Sequence, residues 1–123
     1  MTLTARPATR ADIARWHPEA TASFRAWVAE IDGVPSGIIG LSLTRPSATL
    51  FSVVEEPLRP HLKSLTVLRL IKAAQAACSE TCLSVYALVD PDEGHTLTAP
   101  PILARLGFTR VGEYDGSDLW RLA

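Results

Sequence analysis

Apolar and polar residues along this chain fall into distinct stretches, separated by prolines and glycines. Residues 3–8 read as a short strand or an extended lead-in. Thr9 then predicts the cap of a short helix over 10–16, because its side-chain oxygen can take an orphan N–H, and Pro18 closes that helix. In residues 23–31, Phe24, Ala26 and Val28 share one parity, and Arg25, Trp27, Ala29 and Ile31 share the other. That alternation predicts a strand. Asp32-Gly33 predicts a tight hairpin, since both central residues of such a turn must accept positive φ. Residues 35–43 are the returning strand, and Gly37 and Gly40 inside it predict a bulge or a close backbone approach. A turn at Arg45-Pro46-Ser47 leads into a strand over 48–54 and a proline-bearing loop over 55–60.

Ser64 predicts the cap of a long helix over 65–79. Leu65, Leu68, Ile71 and Ala74 recur at three-residue steps as its inward stripe, widened by Val67, Leu70 and Ala77. Residues 83–89 are mostly apolar and read as a strand buried on both faces. A turn-rich loop follows over 90–95. Pro100 and Pro101 fit the first turn of a short helix that ends at Leu106, with Gly107 just beyond. Strands over 108–113 and 119–122 flank Asp115-Gly116, a second hairpin signal. The order predicts a mixed α/β fold: an antiparallel N-terminal meander, then a βαβ unit over 48–89 whose two strands are parallel neighbours. At 123 residues the chain is expected to be a single domain over 1–123.

Composition narrows the classes. With 47% apolar and 20% charged residues, disorder is excluded. Twelve basic against thirteen acidic residues give a net charge of −1, so no broad phosphate-gripping face is expected and nucleic acid is not an expected partner. No apolar stretch approaches the roughly 18 residues that span a bilayer, and residues 1–10 lack a signal core. A soluble, cytoplasmic protein without membrane contact is the expectation. Cys78 and Cys82 lie four apart with no second pair, and His17, His61 and His95 are scattered, so free buried thiols are expected and no metal. Trp16, Trp27 and Trp120 sit where core packing explains them, as does Tyr114 beside its hairpin; Tyr86 reads as core or a cleft wall.

Three ordered segments carry a resemblance. The first is the hairpin AEIDGVPSGIIG, from Ala29 to Gly40. The second is Val53-Val54 running through Pro57 and Arg59 into the long helix. The third is LARLGF, from Leu103 to Phe108. Together they resemble the GNAT superfamily of acyl-CoA-dependent N-acyltransferases, from about Arg6 to the C-terminal residue. The resemblance implies a GNAT-like fold with splayed central parallel strands and a C-terminal hairpin. It implies acetyl-CoA as cosubstrate, with its pantetheine arm along Phe51, Ser52, Val53 and Val54. The diphosphate would sit at the start of the long helix, where backbone N–H groups and the helix end favour an anion. The family's loop pattern, [Arg/Gln]-x-x-Gly-x-[Gly/Ala], aligns with Arg59, Pro60, His61, Leu62, Lys63 and Ser64.

The departures are specific. Leu62 stands where the pattern has glycine, and Pro60 has no N–H to give. Arg59, His61 and Lys63 supply charge in compensation. Counting back from Gly107-Phe108, the family's frequent Asn falls on Thr96 and its Ala on Ala99. The Tyr that protonates the leaving thiolate falls on Leu103, which has no proton to give. Between the first two strands the family usually has two helices; here about 14 residues leave room for one. The acceptor pocket is therefore expected to be reduced, or completed by a second subunit in a homodimer. Glu55, Glu56 and His61 are the candidate bases for taking a proton from an ammonium, with His95 behind them. Two functions are compatible with these residues: direct acetyl transfer to a primary amine of a small molecule or peptide, or a catalytically impaired binding module of the same fold.

Overall fold

The structure, a computed structural model, describes residues 1–20, 22–89 and 100–122. Its elements are β1 (Leu3–Pro7), α1 (Arg10–Trp16), β2 (Ser23–Ile31), β3 (Val34–Thr44) and β4 (Ser47–Val54), then a 3-10 helix (Glu56–His61). There follow α2 (Leu65–Glu80), β5 (Ser84–Val89), α3 (Pro100–Arg105), β6 (Phe108–Tyr114) and β7 (Ser117–Leu122). One seven-stranded sheet runs in the order β1-β2-β3-β4-β5-β7-β6. Every neighbouring pair is antiparallel except β4 and β5, which are parallel and joined through α2.

The hairpins form where the turn chemistry placed them. Ile31 pairs with Val34 and Tyr114 with Ser117, leaving Asp32-Gly33 and Asp115-Gly116 as two-residue turns. All four turn residues have positive φ, between 50° and 82°, as the tight, twist-matched hairpin requires. The predicted bulge is found beside Gly37: Ala29 pairs with Gly37 and Glu30 with Pro35, so Ser36 is the extra residue on β3. Gly37 also provides a close approach. A Cβ there would collide with the side chain of Leu58, so the missing side chain is what lets the 3-10 helix seat against β3.

α2 covers one face of the sheet. Its buried positions are Val67, Leu70, Ala74, Ala77 and Cys78. They pack with Ile39, Leu41, Leu50, Val85, Ala87 and Phe108 in the main core. The three-residue ladder read from the sequence drifts off this stripe, since a helix turns every 3.6 residues. Leu65 and Leu68 consequently stand 65% and 45% exposed. β5 also departs from expectation. Val85, Ala87 and Val89 are buried, while Ser84 and Leu88 are exposed and Tyr86 is half-buried. Cys78 is buried as expected, and burial pushes its thiol up to about 11. Cys82, just past the helix end, is exposed, and so is Tyr114.

α1 lies on the opposite face, over a smaller cluster of Ile13, Ala26, Val28 and Ile38. Among the described residues, no helix is long and apolar enough to cross a membrane.

Candidate active site

Among the described residues, the β4–β5 ladder is short. β4 pairs with β5 only from Ser47/Ser84 to Leu50/Ala87. Beyond that rung both strands continue, β4 to Val54 along β3 and β5 to Val89 along β7. Residues 51–54 therefore keep β3 as a sheet partner on one side and lie beyond the last rung shared with β5 on the other. Backbone N–H and C=O groups along such an edge are obligatory hydrogen-bonding groups, and an extended ligand with amides can use them as a strand would.

Side chains along this edge alternate between the two faces. Leu50 and Val54 point into the main core. Phe51 and Val53 pack on the α1 side with Phe24 and Trp16. Glu55 continues the parity of Phe51 and Val53. Its N–H donates to the Ser36 carbonyl at 2.9 Å, carrying the strand's end one step further along β3.

The segment after β4 was read as a loop. It is a 3-10 helix, with Pro57 in its first turn and Leu58 fully buried under α2. A 3-10 helix spends its N–H groups on carbonyls three residues back, so the amides around Arg59 and His61 are not turned outward as a cradle. The Ser64 N–H likewise goes to the His61 carbonyl at 3.0 Å. Leu62, in the place of the expected glycine, packs against the main core and fixes this segment from below. What faces outward is charge: Arg59 and Lys63 are exposed and His61 is half-buried. At the start of α2 the Ser64 hydroxyl accepts from the Val67 N–H at 3.3 Å. The amides of Leu65 and Thr66, in the same first turn, have no carbonyl within their own helix to bond. A phosphate here would meet one helix end, the cationic Arg59 and Lys63 and the His61 imidazole rather than a backbone loop. Leu103 is fully buried in the main core, which accounts for a leucine at that position. Thr96, His95 and Ala99, which the sequence placed near the site, lie outside the described residues.

α1 is held in place by ionic contacts. Thr9 and Asp12 form a reciprocal capping box. Asp12 also accepts two hydrogen bonds from the Arg6 guanidinium on β1, at 2.6 and 2.8 Å. Arg6 reaches Glu30 on β2 at 3.1 Å as well. The Arg6 guanidinium holds the buried Asp12 carboxyl well below the usual carboxylate range, and the Thr9 contacts add to this. Asp12 in turn raises Arg6 above its ordinary value.

With its start pinned, α1 delivers Trp16 and His17 over β4. The Trp16 indole N–H donates to Glu55 at 3.2 Å, and Arg15 pairs with the same carboxylate at 3.3 Å. Both oxygens of Glu55 are thus engaged. Glu56 is exposed at the start of the 3-10 helix. Below the end of α1 a cavity of about 560 Å³ opens. Trp16, Phe24 and Phe51 form its aromatic walls, and Ser42 and Thr49 offer hydroxyls from β3 and β4. His17 and Glu19 are the titratable groups lining it. The His17 ring meets Phe51 edge-on, with centroids 5.4 Å apart. Phe51 also meets Phe24 edge-on at 5.8 Å.

None of Glu55, Glu56 and His61 lines that cavity; His17 does. Sequence reading passed over His17 as one of three scattered histidines. The available signal was its place just after a well-capped helix and before Pro18. What decides its setting, the apposition of α1 and β4, is tertiary.

The fold as a whole is similar to known structures. The chain matches an acetyltransferase of the GNAT family from Streptococcus pneumoniae with a TM-score of 0.61, over 99% of this chain and 100% of that one, at 16% identity. It has the GNAT acetyltransferase fold. The ribosomal-protein-S18-alanine N-acetyltransferase of Escherichia coli matches with a TM-score of 0.62, 15% identity, and coverage of 98% and 93% of the two chains. The PaiA N-acetyltransferase of Thermoplasma acidophilum, solved with coenzyme A, matches at 0.59 and 15% identity. There 80% of this chain spans 60% of that one. No protein-family model matches the sequence, and no curated protein matches it. The GNAT fold is thus retained at identities where side-chain roles have to be argued from this chain's own geometry.

Proposed function

We propose that the protein transfers the acetyl group of acetyl-CoA to a primary amine. The observation that carries this reading is the β4–β5 ladder stopping at Leu50/Ala87 while both strands run on, in a sheet of GNAT fold. Backbone groups of Phe51, Ser52, Val53 and Val54 bind the pantetheine arm as an added strand would. Arg59, His61 and Lys63 take the diphosphate by charge, with Ser64 and the first turn of α2 behind them. Ala99 was assigned to the same cosubstrate from the family pattern. The acceptor enters from the α1 face, where seven residues of helix leave part of the sheet uncovered. Glu55, bound by Arg15 and Trp16, orients α1 against β4 rather than moving protons.

Calorimetric titration with acetyl-CoA tests the reading. Saturable heat, with a rise in melting temperature, is expected for the wild type and is expected to weaken by tenfold or more in Arg59→Ala. No heat and no thermal shift at millimolar acetyl-CoA would sink it.

One observation favours a second reading, a binding module of the same fold without turnover. The residue at the thiolate-protonating position, Leu103, is fully buried and chemically inert. Binding of acetyl-CoA with no CoA thiol release across a broad amine panel would select that reading. Against it stands ordinary thiol chemistry: with a pKa near 8.5, a thiolate is a tolerable leaving group near neutral pH without an acid.

A further inference from the structure

The cavity under α1 joins the splay through a single side chain. Phe51 is the first β4 residue past the last rung shared with β5, and it is also a wall of the cavity. An acyl group ending at that rung would therefore be presented beside Phe51. The half-buried imidazole against Phe51 is His17. The other nearby carboxylate, Glu55, has both oxygens engaged by Arg15 and Trp16, and Glu19 is exposed at the cavity rim. The rest of the wall that reaches the splay is apolar: Trp16, Phe24 and Phe51.

We propose that His17 is the general base of the acceptor site, and that the cavity takes a primary amine carried on an apolar or aromatic body. The inference rests on the acetyl-transfer reading. An alkylammonium in the cavity gives one proton to the free ring nitrogen of His17. The nitrogen lone pair so released attacks the thioester carbonyl of acetyl-CoA. The C–N bond forms, the C–S bond breaks, and the electron pair leaves on sulfur as a thiolate. The remaining surplus proton on nitrogen passes to the thiolate or to water. His17 is half-buried rather than sealed, so its own proton returns to solvent.

A neutral imidazole can accept a proton at one ring nitrogen. Among the described residues, the charged groups around it are these. Glu19 shares the cavity. Arg10 lies over Phe24 and Arg15 over Trp16, the latter paired with Glu55. The cavity residues on β2, β3 and β4, namely Phe24, Ser42, Thr49 and Phe51, carry no charge.

The test compares wild type with His17→Gln on two acceptors of similar shape. Phenethylamine is an ammonium at neutral pH; O-benzylhydroxylamine is already neutral. With phenethylamine, His17→Gln is expected to lose about 100-fold or more in kcat/KM. With O-benzylhydroxylamine the loss is expected to fall below about tenfold, because no proton has to be removed first. Equal losses on both acceptors, or no loss on either, would overturn the assignment. A binding readout needs neither turnover nor the variant's stability: phenethylamine titrated into wild-type protein without acetyl-CoA should shift the His17 ring resonances and leave those of His61 in place. An unmoved His17 resonance at saturating amine would also overturn it. Failure of the wild type to bind acetyl-CoA would count against acetyl transfer instead, while the ring shift still reports on the cavity.

Discussion

The two faces of the sheet are built to different standards. Under α2 the core is continuous, and Leu58, Val67, Ala74, Ala77 and Leu103 are fully buried. Under α1 the buried cluster shrinks to Ile13, Ala26, Val28 and Ile38, and a cavity of about 560 Å³ lies beside it. Helix length explains most of the difference. The 16 residues of α2 make a rod about 24 Å long and the seven of α1 one of about 10 Å. The long helix spans the sheet; the short one covers β2 and β3 and stops at Trp16, above β4. The filled face supplies stability and holds the 3-10 helix. The unfilled face leaves β4 open where its ladder to β5 ends. The same shortening that leaves room for one helix thus leaves a cavity beneath it, the acceptor chamber proposed above.

Substitutions can break this contrast. The largest expected effect is Leu58→Ala on the filled face. Leu58 is fully buried and sits in the space left by Gly37, so its truncation should cost about 3 kcal/mol in urea unfolding and loosen the acetyl-CoA site through the 3-10 helix. On the α1 face stability comes more from charge. Asp12→Asn removes the carboxylate that Arg6 and Thr9 share, and should cost about 2 kcal/mol. The pH dependence has a definite sign. Asp12 has a folded-state pKa below its unfolded value of about 3.9. Its contribution is therefore present above about pH 4 and is lost as pH falls further toward the folded value. Melting scans from pH 6 to pH 2 should show a steeper acid loss in wild type than in Asp12→Asn. A smaller effect is expected at the cavity wall. Phe51→Leu keeps an apolar side chain beside open space and should cost about 1 kcal/mol or less, while altering acceptor KM. Trp120→Phe should be the mildest. Its indole N–H is buried without a hydrogen-bond partner, so nothing is lost with it, and stability should stay within about 0.5 kcal/mol of wild type.

The sequence made the strands easy to read and the helices' facing harder. Asp32-Gly33 and Asp115-Gly116 fixed both hairpins because so few residues tolerate the required φ. Thr9 and Ser64 fixed two helix starts for the same kind of local reason. The facing of α2 was missed by a fraction of a turn, since Leu65 and Leu68 are hydrophobic and sit on its exposed flank. In residues 83–89 the apolar Leu88 hides the alternation, and hydropathy does not say which face a neighbour covers. The splay was expected only through the family resemblance, for nothing in the residues of β4 announces where pairing stops. The cavity and His17 could not be read at all, because they arise where α1 meets β4.

The central claim, that β4 beyond its last rung with β5 binds an acyl-CoA, is most directly tested by amide chemical shifts during an acetyl-CoA titration. The account predicts large, saturable shifts at Phe51, Ser52, Val53 and Val54, smaller ones at Leu65 and Thr66, and little change at Ser47–Leu50, whose ladder to β5 is already formed. Saturable binding that leaves residues 51–54 unmoved would contradict it.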